Sequence, residues 1–152
     1  MEYQIEIVER QPEVAAVVIG RAAHDGVGPF IGEALGEVLA AVGESSVTGM
    51  PFCRIDMDGD EFLLEVGFPV AQPIEASGRV VPSRLPGGET ATVLNVGPYD
   101  TVPPAYFAIE QWMSDNGVDA AGRPWESYLD GPEVPQPRTL VCWPFSRPAG
   151  GS

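Results

Sequence analysis

The stretch Arg123-Pro124-Trp125-Glu126-Ser127-Tyr128-Leu129-Asp130 sets a carboxylate between large aromatic residues. Read as a strand, it alternates between faces, so Glu126 and Tyr128 share one face while Trp125 and Ser127 take the other. A carboxylate buried beside aromatic rings without a partner is costly. Glu126 therefore either reaches solvent from an edge strand or meets a counter-charge, and a bound cation is one candidate. A cation over an aromatic face gains about 0.5–2 kcal/mol, and a carboxylate adds attraction once it has lost its own hydration. Phe52, Phe68, Tyr99, Tyr106, Trp125, Tyr128 and Trp143 are the aromatics that would line such a pocket; otherwise they are core. Cys53 has no histidine near it in sequence to activate it and reads as a small buried residue. Cys53 and Cys142 lack the spacing of a metal or redox pair, and no cofactor is expected.

Several elements must position these residues. Alternation over residues 3–9 predicts a strand, and the denser apolar run 14–21 a more buried one, with a turn at 10–13. Phe30, Ile31, Ala34, Leu35, Val38, Leu39 and Val42 recur at threes and fours, making 28–42 a helix with an apolar stripe, capped by Gly43. Strands at 48–57 and 61–70 flank an Asp58-Gly59 hairpin signal. Shorter strands at 78–84 and 90–96 are separated by Leu85-Pro86-Gly87-Gly88. Gly97-Pro98-Tyr99-Asp100 turns into a second helix over 101–116, with Asp100 or Thr101 as N-cap and Pro103 and Pro104 in the first turn. Strands at 124–130 and 138–145 close the chain around a proline-rich loop, and 147–152 is expected to be a disordered tail.

The second half of the chain overlays the first. Val18-Ile19-Gly20 falls on Asn95-Val96-Gly97, Pro51-Phe52-Cys53-Arg54-Ile55 on Pro124-Trp125-Glu126-Ser127-Tyr128, and Val66-Gly67-Phe68-Pro69-Val70 on Val141-Cys142-Trp143-Pro144-Phe145. So long a period indicates a duplicated module rather than a solenoid. One half alone is a helix over a small sheet and is marginal. Two halves make an α+β domain with pseudo-twofold symmetry and a cleft between them. Glu126 falls on Cys53 and Tyr128 on Ile55, so the acid and its phenol break the symmetry that scaffold residues can obey.

The chain has 152 residues, 44% of them hydrophobic, enough for one packed domain. That domain is expected over 1–146, with halves of about 1–72 and 73–146. A formal net charge of −14 argues against nucleic acid as a partner. No apolar run is long enough to span a bilayer, and the first residues lack the features of a signal peptide, so the reading is cytoplasmic with no membrane partner.

Taken together, Leu85-Pro86-Gly87-Gly88-Glu89, Val96-Gly97-Pro98-Tyr99, Ala105-Tyr106, Trp112, Pro124-Trp125-Glu126-Ser127-Tyr128 and Val141-Cys142-Trp143-Pro144-Phe145 resemble the GyrI-like small-molecule-binding superfamily. This is the effector-binding domain of AraC-type and MerR-type multidrug regulators, found also as stand-alone proteins. The resemblance covers nearly the whole chain. It implies a duplicated βαββ (SHS2-like) fold of antiparallel sheets and two main helices. It gives Glu126 the role of the glutamate that pairs with lipophilic cations, with Tyr128 and Trp125 in the pocket region. The chain shows no helix-turn-helix pattern and no basic patch, so DNA-binding activation on its own is not expected. The leading function is a binder of amphipathic, cationic small molecules. The alternative is a hydrolase of strained cyclopropane-type natural products using Glu126 and Tyr128 as catalytic groups. A weaker alternative is a protein-interaction inhibitor of a gyrase-like enzyme, with its protein partner unknown.

Overall fold

The computed structural model describes residues 3–131 and 133–148, apart from the side chains of Asp58 and Asp100. Pro132 of the proline-rich loop and the tail beyond Pro148 lie outside the described residues. The chain runs β1 (Glu6–Arg10), β2 (Glu13–Ala22), α1 (Val27–Val42), β3 (Phe52–Asp58), β4 (Glu61–Pro69), β5 (Val80–Leu85), β6 (Gly88–Val96), α2 (Pro103–Asn116), β7 (Asp119–Ala120), β8 (Trp125–Tyr128) and β9 (Arg138–Ser146). Its fold class is α+β, with antiparallel pairing in every ladder described below. No helix among the described residues is long and apolar enough to cross a membrane.

The chain divides into two compact units: a central one, Pro12–Leu85, and a terminal one made of Met1–Gln11 with Pro86–Ser152. In the central unit the strand order is β3-β4-β2-β5, and α1 lies over β2 and β4. In the terminal unit the order is β1-β6-β9-β8, β7 joins the end of β9, and α2 lies over β6 and β9.

These units differ from halves cut near residue 72. The strand β1 pairs with β6 rather than with the adjacent β2, and β5 pairs with β2 rather than with the adjacent β6. Both unit boundaries fall at an X–Pro bond, Gln11-Pro12 and Leu85-Pro86. Type I′ hairpin turns need positive φ at both central residues and type II′ turns at the first, and proline cannot adopt it. The residue before proline is also held extended. The segment expected to be a turn at residues 10–13 does not close a β1–β2 hairpin, and the chain passes from one unit to the other at each proline.

The hairpin β3–β4 turns at Gly59-Asp60, one residue later than the Asp58-Gly59 signal suggests, since Asp58 still pairs with Glu61. Gly67 in β4 has a packing reason: a Cβ there would stand 1.9 Å from the Ala16 carbonyl oxygen of β2. The helix α1 buries Ala34 and Val38 completely, and the rest of its apolar stripe is half-buried. Gly43 ends it, its N–H bonded to the Leu39 carbonyl at 2.8 Å.

In the terminal unit, Ala105, Ile109 and Met113 of α2 pack with Ala91, Val93, Val141 and Phe145 of β6 and β9. Trp112 sets its ring edge against Phe145, centroids 5.1 Å apart, in keeping with a core role. The helix starts later than expected. Tyr99–Thr101 form a 3₁₀ turn, Val102 occupies the N-cap position without a side-chain cap, and Pro103 opens the first turn. The Thr101 hydroxyl donates instead to the Pro98 carbonyl at 2.5 Å.

Candidate functional site

The terminal unit's ladders place side chains in rows across its sheet. Asn95, Thr139 and Tyr128 stand side by side on β6, β9 and β8, and Val93, Val141 and Glu126 form the next row. Directly paired residues share a face. Val93 and Val141 pack under α2, so Glu126 and Tyr128 lie on the α2 face of the sheet. Trp125 pairs with Cys142 on the opposite face, as strand parity requires.

Glu126 is 7% exposed. The Tyr106 hydroxyl, from α2, donates to its Oε2 at 2.5 Å, and the Tyr128 hydroxyl donates to its Oε1 at 3.0 Å. Burial pushes the carboxyl above its ordinary range, and the two phenol donors pull it part of the way back. Further rings flank these phenols. Trp143 meets Tyr106 edge-on at 6.3 Å between centroids, and Tyr99 meets Tyr128 edge-on at 5.7 Å. Trp143 is fixed by its indole N–H, which donates to the Gly122 carbonyl at 3.1 Å. Tyr99, 39% exposed, donates its hydroxyl to the Asp130 carbonyl at 3.3 Å. Gly97 shapes the turn that carries Tyr99: its φ of +135° is a conformation other residues rarely adopt.

Glu126, Tyr106, Tyr128, Tyr99 and Trp143 are therefore one constellation: a desolvated acid with a phenol on each oxygen and an aromatic ring beyond each phenol. Trp125 is separate. It is 0% exposed, and the Arg10 guanidinium stands over its ring at 5.3 Å. Phe52 and Phe68 belong to the central unit, Phe52 fully buried on β3 and Phe68 on β4. Cys53 is buried, so a nucleophilic role has no support from exposure. Burial pushes the Cys142 thiol up to about 12, with Arg10 and Ser127 acting in the other direction.

One buried polar cluster escaped the reading of the sequence. In the central unit Arg54 donates to Glu65 at 2.5 Å, to Ser83 Oγ at 3.0 Å and to the Arg84 carbonyl at 2.9 Å, while Ser83 also donates to Glu65. The Asp58-Gly59 turn signal would set Arg54 opposite Leu63; the turn at Gly59-Asp60 sets it opposite Glu65 instead, so the pair was hidden by the register.

Residues 51–146 match the GyrI-like small molecule binding domain, and they span the whole Glu126 constellation. The chain belongs to the GyrI-like family. None of the curated proteins matches it. Among solved structures, the C-terminal domain of EcmrR is similar at TM-score 0.78 and 24% identity, covering 97% of this chain and 100% of that one. The EcmrR chain solved in complex with DNA gives TM-score 0.77 at 22% identity, covering 96% of this chain, which spans 58% of that one. A hydrolase from Listeria innocua gives TM-score 0.63 at 17% identity, covering 94% of this chain and 92% of the other. SAV2435 bound to tetraphenylphosphonium gives TM-score 0.59 at 12% identity, covering 96% and 94%. These likenesses show that the GyrI-like fold is shared.

Proposed function

We propose that this GyrI-like domain binds amphipathic small molecules whose positive charge is anchored by Glu126. The observation that carries the reading is the buried Glu126 carboxylate with a phenol donor on each oxygen. A structural glutamate would be cheaper exposed or paired with arginine. Here its described partners are neutral donors, which hold the charge in place without cancelling it. Tyr99 and Trp143 supply further ring surface for a cation. That SAV2435 holds tetraphenylphosphonium on a shared fold supports the choice of ligand class. The likeness to EcmrR supports a regulator-type ligand sensor.

The same reading makes the two units a duplicated βαββ module. Their burial supports this: β2 and β6 both begin half-buried at two positions, then have four buried residues and an exposed one. Matching these strands and their ladders sets Val18 with Val93, because Val18 pairs with Val66 and Val93 with Val141. This moves the register two residues from the Gly20–Gly97 overlay. Gly20 answers to Asn95, and the shared glycine was a coincidence of type. The alignment of Cys53 with Glu126 is kept, since Cys53 pairs with Val66 and Glu126 with Val141. We further propose a cytoplasmic location for this domain.

Titration with tetraphenylphosphonium, followed by tryptophan fluorescence, tests the reading. Saturable quenching is the expected result, and its absence would remove the ligand class. A second reading, hydrolysis with Glu126 as base, draws on the raised carboxyl and the adjacent phenols. Product analysis with an activated cyclopropane substrate tests it, and lack of turnover above the Glu126→Gln background eliminates it.

A further inference from the structure

The row beside Glu126 contains a polar group with no structural explanation. Thr139 is 0% exposed, and its Oγ1 has no hydrogen-bond partner among the described residues. A buried hydroxyl left unpaired destabilises the fold, which is why such groups are rare and call for a reason. Its neighbours do not supply a bond. Asn95, paired with Thr139 across β6–β9, commits its amide to the Thr101 hydroxyl at 3.0 Å. Tyr128, paired with Thr139 across β8–β9, turns its phenol to Glu126. A valine would fill the same space with the same branching and no unpaired oxygen.

We propose that the Thr139 hydroxyl is a hydrogen-bonding subsite for an uncharged polar group, a hydroxyl or a carbonyl, on a ligand whose cationic centre lies at Glu126. The proposal rests on the ligand site described above and adds a second recognition point to it. Thr139 is the diagonal neighbour of Glu126 across the β8–β9 ladder, a separation of roughly 7–8 Å between such positions. One aromatic ring bridges that span, so the ligand class is a lipophilic cation with a polar substituent on a ring or short arm. Glu126 supplies attraction for any such cation, and Thr139 discriminates among them. A site built to meet a hydroxyl penalises the analogue that lacks it, because the protein group is then left unpaired.

The test compares tetraphenylphosphonium with para-hydroxyphenyl-triphenylphosphonium, on the wild-type chain and on Thr139→Val. The wild type should bind the hydroxylated probe about tenfold more tightly, the worth of one buried hydrogen bond. Thr139→Val should remove that preference. Without ligand, Thr139→Val should melt ~2–4 °C higher, as relief of an unpaired buried hydroxyl predicts for a chain of this size. A preference that is absent in the wild type, or that survives in Thr139→Val, overturns the subsite while leaving the Glu126 site standing. A lower melting temperature for the variant also overturns it, since the hydroxyl would then have a structural bond. If neither probe binds the wild type, the ligand site itself fails and the subsite goes with it.

Discussion

The protonation of Glu126 has a direct consequence for stability. Burial is the largest influence on this carboxyl and raises it, against the opposing pull of the Tyr106 and Tyr128 hydroxyls. In the unfolded chain the group ionises near its ordinary value, about 4.3. Below that pH both states hold the proton, and the group's contribution is fully present. As pH rises, the unfolded chain loses the proton first, while the folded protein keeps it. Stability then falls at about 1.4 kcal/mol per pH unit until the folded protein ionises as well. Glu126→Gln cannot ionise and lacks this slope. Other acids bias the raw profile the opposite way, Asp130 for example being held low by its hydrogen bond to Arg138, but they cancel in the comparison. Urea unfolding of both proteins from pH 4 upwards should therefore show wild type minus variant falling and then levelling. A difference that rises with pH would show that the phenol donors outweigh desolvation, and the account of Glu126 as a destabilised, poised anion would be wrong.

Tyr106→Phe deletes the donor to Oε2, so the folded carboxyl should rise further and the levelling should move to higher pH in the same urea series. Breaking the buried Arg54–Glu65 pair by Arg54→Met should cost roughly 3–5 kcal/mol, and the double variant Arg54→Met with Glu65→Leu should regain most of it in chemical denaturation. With its thiol at about 12, Cys142 should resist a thiol-reactive dye at pH 8 in the folded protein and react only in denaturant; rapid labelling of Cys142 in the native state would contradict its burial.

The parts of the fold carried by local pattern were legible in the sequence. The threes and fours of Phe30 to Val42 marked α1, and the alternation around Glu126 put it on the face of Tyr128 and away from Trp125. The mismatch between Cys53 and Glu126 in the overlay of the two halves also singled out an acid that the structure buries. What failed was long-range pairing. The sequence shows β1 beside β2, yet β1 pairs with β6 and β5 with β2, and the prolines at 12 and 86 are the local hint of this. Gly20 and Gly97 match in residue type but not in backbone task. Gly20 lies inside β2, where a Cβ would stand 2.6 Å from the Phe30 ring, whereas Gly97 serves a turn. Of the aromatic candidates, the sequence could not separate Tyr106, brought to Glu126 by α2, from Phe52, which is core in the central unit, because that distinction depends on tertiary packing.

Isothermal titration of tetraphenylphosphonium and of neutral triphenylphosphine oxide, on wild type beside Glu126→Gln, tests the central claim most directly. A carboxylate 4 Å from a cation contributes about 4 kcal/mol at an effective dielectric of 20. Desolvation of both groups reduces this to a net of about 2 kcal/mol, some thirtyfold in affinity. The account predicts a loss of that order for the cation in Glu126→Gln and little change for the phosphine oxide. Equal weakening of both, or undiminished binding of the cation by the variant, would contradict it.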